Sequence, residues 1–185
     1  AALQAHAALK GRPSTDVQVL YFRGTTLGNP AAGHIAKQIN YDPTRGADGS
    51  LLENVQTLSD EYPVEWGKMM TAGKRTDTGA TNGGSVEFGT GSLAFGLAAY
   101  LQVFAFTGAS VTVAIQESSD DGAVDPYAAV VGGAFAAATG ITTERIETSL
   151  TQTVERYLRV VTTGTFNPAT FAVMVIRYGG ANRET

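Results

Sequence analysis

Residues 67–75, Gly-Lys-Met-Met-Thr-Ala-Gly-Lys-Arg, imitate a phosphate-binding loop, in which backbone N–H groups at a helix N-terminus cradle an anion that a lysine also reaches. The spacing is wrong. Five residues separate Gly67 from Gly73 where the motif has four, and Arg75 stands where a metal-binding Ser or Thr belongs. A Gly-rich stretch follows instead of a helix, so these residues read as an exposed loop. The two histidines, His6 and His34, sit in different contexts without the Cys or Glu-x-x-His partners of a metal or catalytic site. Glu117, Asp120, Asp121 and Asp125 crowd one turn and are of the type that binds calcium, but their spacing is not that of an EF-hand loop. Turn chemistry at Asp121-Gly122 and Asp125-Pro126 accounts for them without an ion.

Carboxylate pairs are the remaining route to acid-base catalysis. Asp60 and Glu61 with Glu65 supply the residue types, yet nothing in the sequence places them in a cleft. Trp66, Tyr62 and Tyr41 are the aromatic set that could stack on a sugar ring, although a lone Trp is more often a core residue. Arg156 and Arg159 are three apart in a strand-like run, so they point to opposite faces and cannot clamp one anion. With Glu155 they read as charges that blunt a sheet edge. The chain has no cysteine, which removes disulfides and thiolate ligands. These residues predict no catalytic, cofactor or metal site, and no enzyme.

The elements around them are strand-like. Residues 1–10 hold helix formers and then meet Gly11 and Pro13, which predicts one short N-terminal helix within an arm at 1–12. Val17 to Phe22 and residues 34–41 read as strands, with a loop at 23–33 between them and turn signals at 42–50. In residues 51–70 Leu51, Val55 and Leu58 also fit a helix period, but the Asp-Gly turn before them reads as a hairpin connection and favours a strand up to Leu58. Residues 73–92 hold six glycines and only Val86 and Phe88 as large apolar side chains; they predict a long loop suited to interaction. Residues 97–106 and 111–118 predict a hairpin closed at 107–110. A second hairpin is expected over 154–178, with a Gly/Asn/Pro turn in its middle. Its Tyr157, Val161, Phe171 and Val175 are expected on one face. Turns at this spacing predict a mainly β chain, an antiparallel sandwich or barrel, as one domain over 13–180 with a short tail at 181–185.

Composition narrows the class further. The 185 residues are 43% hydrophobic and only 16% charged, against about 25% charged in ordinary soluble domains, so the surface is rich in small polar residues. A net charge of −4 lacks the basic stripe that grips nucleic acid. No apolar run reaches about 18 residues, so no membrane-spanning helix is predicted. The sequence starts on Ala rather than Met, which leads us to expect an incomplete start.

Several long strings are more specific than any of these patterns. DVQVLYFRGTTLGNPAA, AKQINYDPTRGADGSL, EWGKMMTAGKRTDTGATNG, AYLQVFAFTGASVTVAIQESSDDG and TVERYLRVVTTGTFNPATFAVMVIR resemble the major tail (tail tube) proteins of long-tailed phages and prophages of actinobacteria. The resemblance covers residues 3–178. It implies a β-sandwich subunit of the virion, assembled in the host cytoplasm, that closes into rings expected to be hexameric. Stacked rings would form a tube around a tape-measure protein, meet other tail proteins and conduct DNA. On this resemblance the 73–92 loop would reach the next ring, through Lys74, Arg75, Thr76, Asp77, Thr78, Asn82, Val86 and Phe88. The alternative is a monomeric phage surface or decoration protein, or a carbohydrate-binding sandwich.

Overall fold

A computed structural model describes Lys10 and residues 15–59, 63–89 and 91–180. Apart from Lys10, the N-terminal helix expected over residues 1–10 lies outside the described residues, as does the 181–185 tail. Contacts divide the chain into two compact units, Ala1–Leu20 with Gly33–Val64 and Tyr21–Ala32 with Glu65–Thr185. The expected domain over 13–180 thus carries two compact units. The described residues are mainly antiparallel β-structure and contain no helix.

The smaller unit takes most of β1 (Val17–Phe22) and β2 (Pro30–Arg45) and all of β3 (Leu51–Ser59). β2 and β3 form the hairpin expected from Asp48-Gly49, in antiparallel register from Arg45 opposite Leu51 to Ala36 opposite Ser59. Ser50 N–H donates to Asp48 Oδ1 at 3.0 Å and closes the turn. The turn is shorter than expected, because Asp42 to Arg45 continue β2.

The larger unit contains β4 (Glu65–Met69), β5 (Arg75–Asp77), β6 (Thr81–Glu87), β7 (Leu97–Ser118), β8 (Ala128–Ala134), β9 (Thr142–Glu147) and β10 (Tyr157–Arg177). Its frame is the antiparallel pair of β7 and β10, 22 and 21 residues long. β4, β5 and β6 pair in turn along the other side of β10, while β8 and β9 pair with β7.

This frame corrects two expectations. Neither 97–118 nor 154–178 is a hairpin: each supplies one long strand, and the two pair with each other. The residues that signal turns form bulges instead, with register shifts where Thr165, Phe166 and Ala169 pass Ser110, Gly108 and Phe106. Gly164 sits there at φ 117, and a Cβ on it would press on the Ser110 carbonyl.

The bulges shift the pairing by one residue, which exchanges the faces of β10. Leu158 and Val160 therefore enter the core before the bulge, and Phe171, Val173 and Val175 after it. Tyr157 and Val161 therefore do not share a face with Phe171 and Val175, contrary to the expectation that all four lie on one face. Both halves of β7 contribute odd-numbered residues to the same core, Leu97, Leu101 and Val103 with Val111, Val113 and Ile115. Around residues 97–101 and 171–177 the pair is buried on both faces, and Ala98, Tyr100, Met174 and Ile176 are as inaccessible as their neighbours.

Candidate assembly surface

Residues 73–92 are not one long loop: β5 and β6 lie within them and both hydrogen-bond to β10. Gly83 explains how so polar a stretch joins the sheet, since a Cβ there would collide with the Val160 carbonyl and with Arg75. Each residue expected at an interface has a place in this arrangement. Arg75 donates to both Asp77 carboxylate oxygens at 2.8 and 2.7 Å and to the Val160 carbonyl at 3.0 Å. Asp77 is buried and also accepts from the Thr162 hydroxyl at 2.7 Å.

Thr76 bonds Thr170 across the ladder, Val86 belongs to the core, and Phe88 packs against it. Lys74, Thr78 and Asn82 are exposed. Of the charges expected at a sheet edge, Arg159 lies on β10, which is paired on both sides, and Glu155 and Arg156 directly precede it. Arg156 bonds Glu87, and Arg159 donates to Gln116 Oε1 at 2.8 Å.

A different surface is left open by the hairpin of β2 and β3. Side chains alternate between the faces of a strand, and on β3 the face of Leu52, Asn54, Gln56 and Leu58 is exposed throughout. The intervening Glu53, Val55, Thr57 and Ser59 are half-buried. Leu52 is 69% and Leu58 63% exposed, and Ile39, at the register shift of β2, is 53% exposed. Thr44 and Asp42 lie opposite Leu52 and Asn54 on that face, and both are exposed. The half-buried face is tied by polar contacts, Tyr41 Oη to Glu53 Oε1 at 3.2 Å and Thr57 Oγ1 to His34 Nε2 at 3.1 Å. Partial burial pushes the His34 imidazole below its ordinary value. Sequence reasoning passed over Leu51-Leu52, although two leucines directly after a hairpin turn are a visible departure from a polar tip.

The carboxylates weighed for catalysis are occupied in other ways. Asp60, Glu61 and Tyr62 lie outside the described residues. Glu65 receives Arg145 at 2.8 Å and Tyr178 Oη at 2.9 Å, and Tyr100 donates a further short bond to it. Arg145 also donates to Glu147 at 3.0 Å. Burial alone would raise the Glu65 carboxyl, but Arg145 and the tyrosine hydroxyls outweigh it and hold it below its ordinary value. Both tyrosines are raised, first by burial and then by the adjacent carboxylate. A carboxylate held ionised by a buried arginine suits tying β4 to β9 across β10 and β7, not donating a proton.

In the acidic turn, the Asp120 carboxylate accepts N–H bonds from Ala123, Val124 and Asp125 at 2.7–3.1 Å. Asp125 Oδ2 accepts from Ser119 N–H at 2.8 Å. Among the described residues no group of three or more His, Asp or Glu side chains is placed to hold a metal ion. Trp66 is 53% exposed on β4. No family model matches this chain, and no curated protein matches it either.

Proposed function

We infer that the protein is a structural virion subunit, a tail-tube protein of a long-tailed phage that assembles with copies of itself. In this reading the subunits are sandwiches of the tail-tube type. They close into hexameric rings that stack into a tube around a tape-measure protein and conduct DNA. The long strings quoted above support the family. The exposed face of the β2–β3 hairpin supports self-association, and it is the observation that carries the reading. A monomer gains nothing from holding the exposed parts of Leu52, Leu58 and Ile39 in water, whereas burying each against a neighbour contributes about 1–2 kcal/mol. A lumen for DNA also agrees with a net charge of −4, because a basic wall would hold the phosphates.

Negative-stain electron microscopy at rising protein concentration, with the mass followed by light scattering, tests this. Rings or tubes are expected, and a strict monomer at all concentrations contradicts the reading. One observation favours a carbohydrate-binding module instead: Trp66, more than half exposed, offers an apolar ring to a sugar face. Binding on a glycan array by a monomer, lost in Trp66→Ala, would establish that alternative.

A further inference from the structure

The larger unit has an apolar slot whose features complement the exposed end of the hairpin. It is a cavity of about 310 Å³ between Leu27, residues 70–72, Lys74, Arg75 and the first half of β6. Its position follows from the backbone. Gly28 N–H donates to the Met69 carbonyl at 2.9 Å and Met69 N–H to the Asn29 carbonyl at 2.8 Å, which holds Leu27 beside the end of β4. Met70 N–H donates to the Val173 carbonyl at 2.9 Å and places the buried Met70 at the base of the slot. Gly84 carries no side chain to fill the space, and a Cβ there would touch the end of Leu27 at 2.9 Å. Lys74 stands exposed at the rim with its ammonium 4.2 Å from the Phe104 ring centroid, whereas the neighbouring Arg75 is committed to Asp77.

We propose that Leu52 of one copy seats in the slot of Leu27, Met70 and Gly84 of a second copy, with Asp42 of the first meeting Lys74 of the second. The inference rests on the self-assembly reading above and names the surfaces through which it acts. The chemistry is matched in kind. Leu52 is an apolar knob, and Asp42 lies diagonal to it on the same face, where neighbours are about 7–8 Å apart. The slot offers the apolar side chains of Leu27, Met70 and Ala72, framed by Thr71, Thr81 and Asn82, with a cation at its edge. Where the contact is made once between two copies it is heterologous, and its repetition builds rings or stacks; made reciprocally, it would close as a pair.

The absence of cysteine from the chain makes a clean test available. Asn54→Cys lies beside Leu52 on the exposed face, and Ala72→Cys lies in the slot lining at an exposed position. The two single variants are mixed with a short bismaleimide and the products are read by mass. A product of two chain masses containing one copy of each variant is expected. Adding Leu52→Asp to the first variant should reduce it about tenfold or more. Asp42→Lys should reduce it about two- to fivefold, the size of one exposed charge pair, and Lys74→Glu in the other copy should restore it. Urea midpoints of all variants serve as the check that the fold is retained. If the mixture gives no such product while the wild-type protein still forms rings, the slot assignment is overturned and self-assembly stands. When the wild-type protein also stays monomeric, both fall.

Discussion

The hairpin of β2 and β3 and the pair of β7 and β10 are both antiparallel ribbons with a register shift, yet they bury their side chains in opposite ways. On β7 and β10 most of the large apolar side chains are inside, and over residues 97–101 and 171–177 both faces are covered. On the hairpin, Leu52 and Leu58 stand on a face that is exposed along all of β3. The difference is one of use. The long pair holds its unit together through contacts inside the chain, and the hairpin presents apolar area that folding leaves in water. Residues of the first kind should affect stability, and residues of the second should affect association.

The largest expected effect lies in the long pair. Phe171→Ala removes a fully buried ring from the core and should cost about 3–5 kcal/mol in urea unfolding. Next is Glu65→Gln, which takes the carboxylate from the buried Arg145. The expected cost is about 2–4 kcal/mol, less than for a fully orphaned charge because Glu147 still accepts from Arg145. The same residue gives a pH signature. Its folded value is depressed, so its contribution is complete above the ordinary 4.5 and is lost as pH falls through the lower folded value. Urea midpoints of the wild type should therefore approach those of Glu65→Gln below pH 4.5.

Gly164→Ala places a Cβ against the Ser110 carbonyl at a positive φ, and about 1–3 kcal/mol of strain should appear in the same measurement. The smallest effect on stability belongs to the hairpin. Leu52→Asp and Leu58→Asp should each change the unfolding free energy measured in urea by no more than about 0.5 kcal/mol while lowering the mass observed at high concentration. A large loss of stability in either variant would erase the distinction between the two ribbons.

Much of the strand content was legible, because alternation marks a half-buried strand: Val111, Val113 and Ile115 are buried as their spacing predicts. The β2–β3 hairpin was legible from Asp48-Gly49. Strand length was not. Thr107-Gly108-Ala109-Ser110 and Gly164 to Pro168 carry the residues of turns, and the same residues build bulges when a partner strand runs on beside them. β5 and β6 were hidden for a related reason, since backbone pairing with β10 places them in the sheet, not a row of apolar side chains.

The candidate site divides in the same manner. Lys74 and Asn82, expected at an interface, are exposed and line the slot, while Val86 is in the core and Asp77 is tied to Arg75. The cluster around Glu65 was beyond reach from sequence, because its partners lie 35, 80 and 113 residues away.

The most direct test of the account is sedimentation velocity of the wild-type protein and of a Leu52→Asp, Leu58→Asp double variant over the same range of concentration. The account predicts that the wild type grows beyond the 19.3 kDa of one chain while the double variant remains at that mass with its urea midpoint nearly unchanged. Equal masses for the two proteins at every concentration would contradict the claim that the hairpin face is an assembly surface.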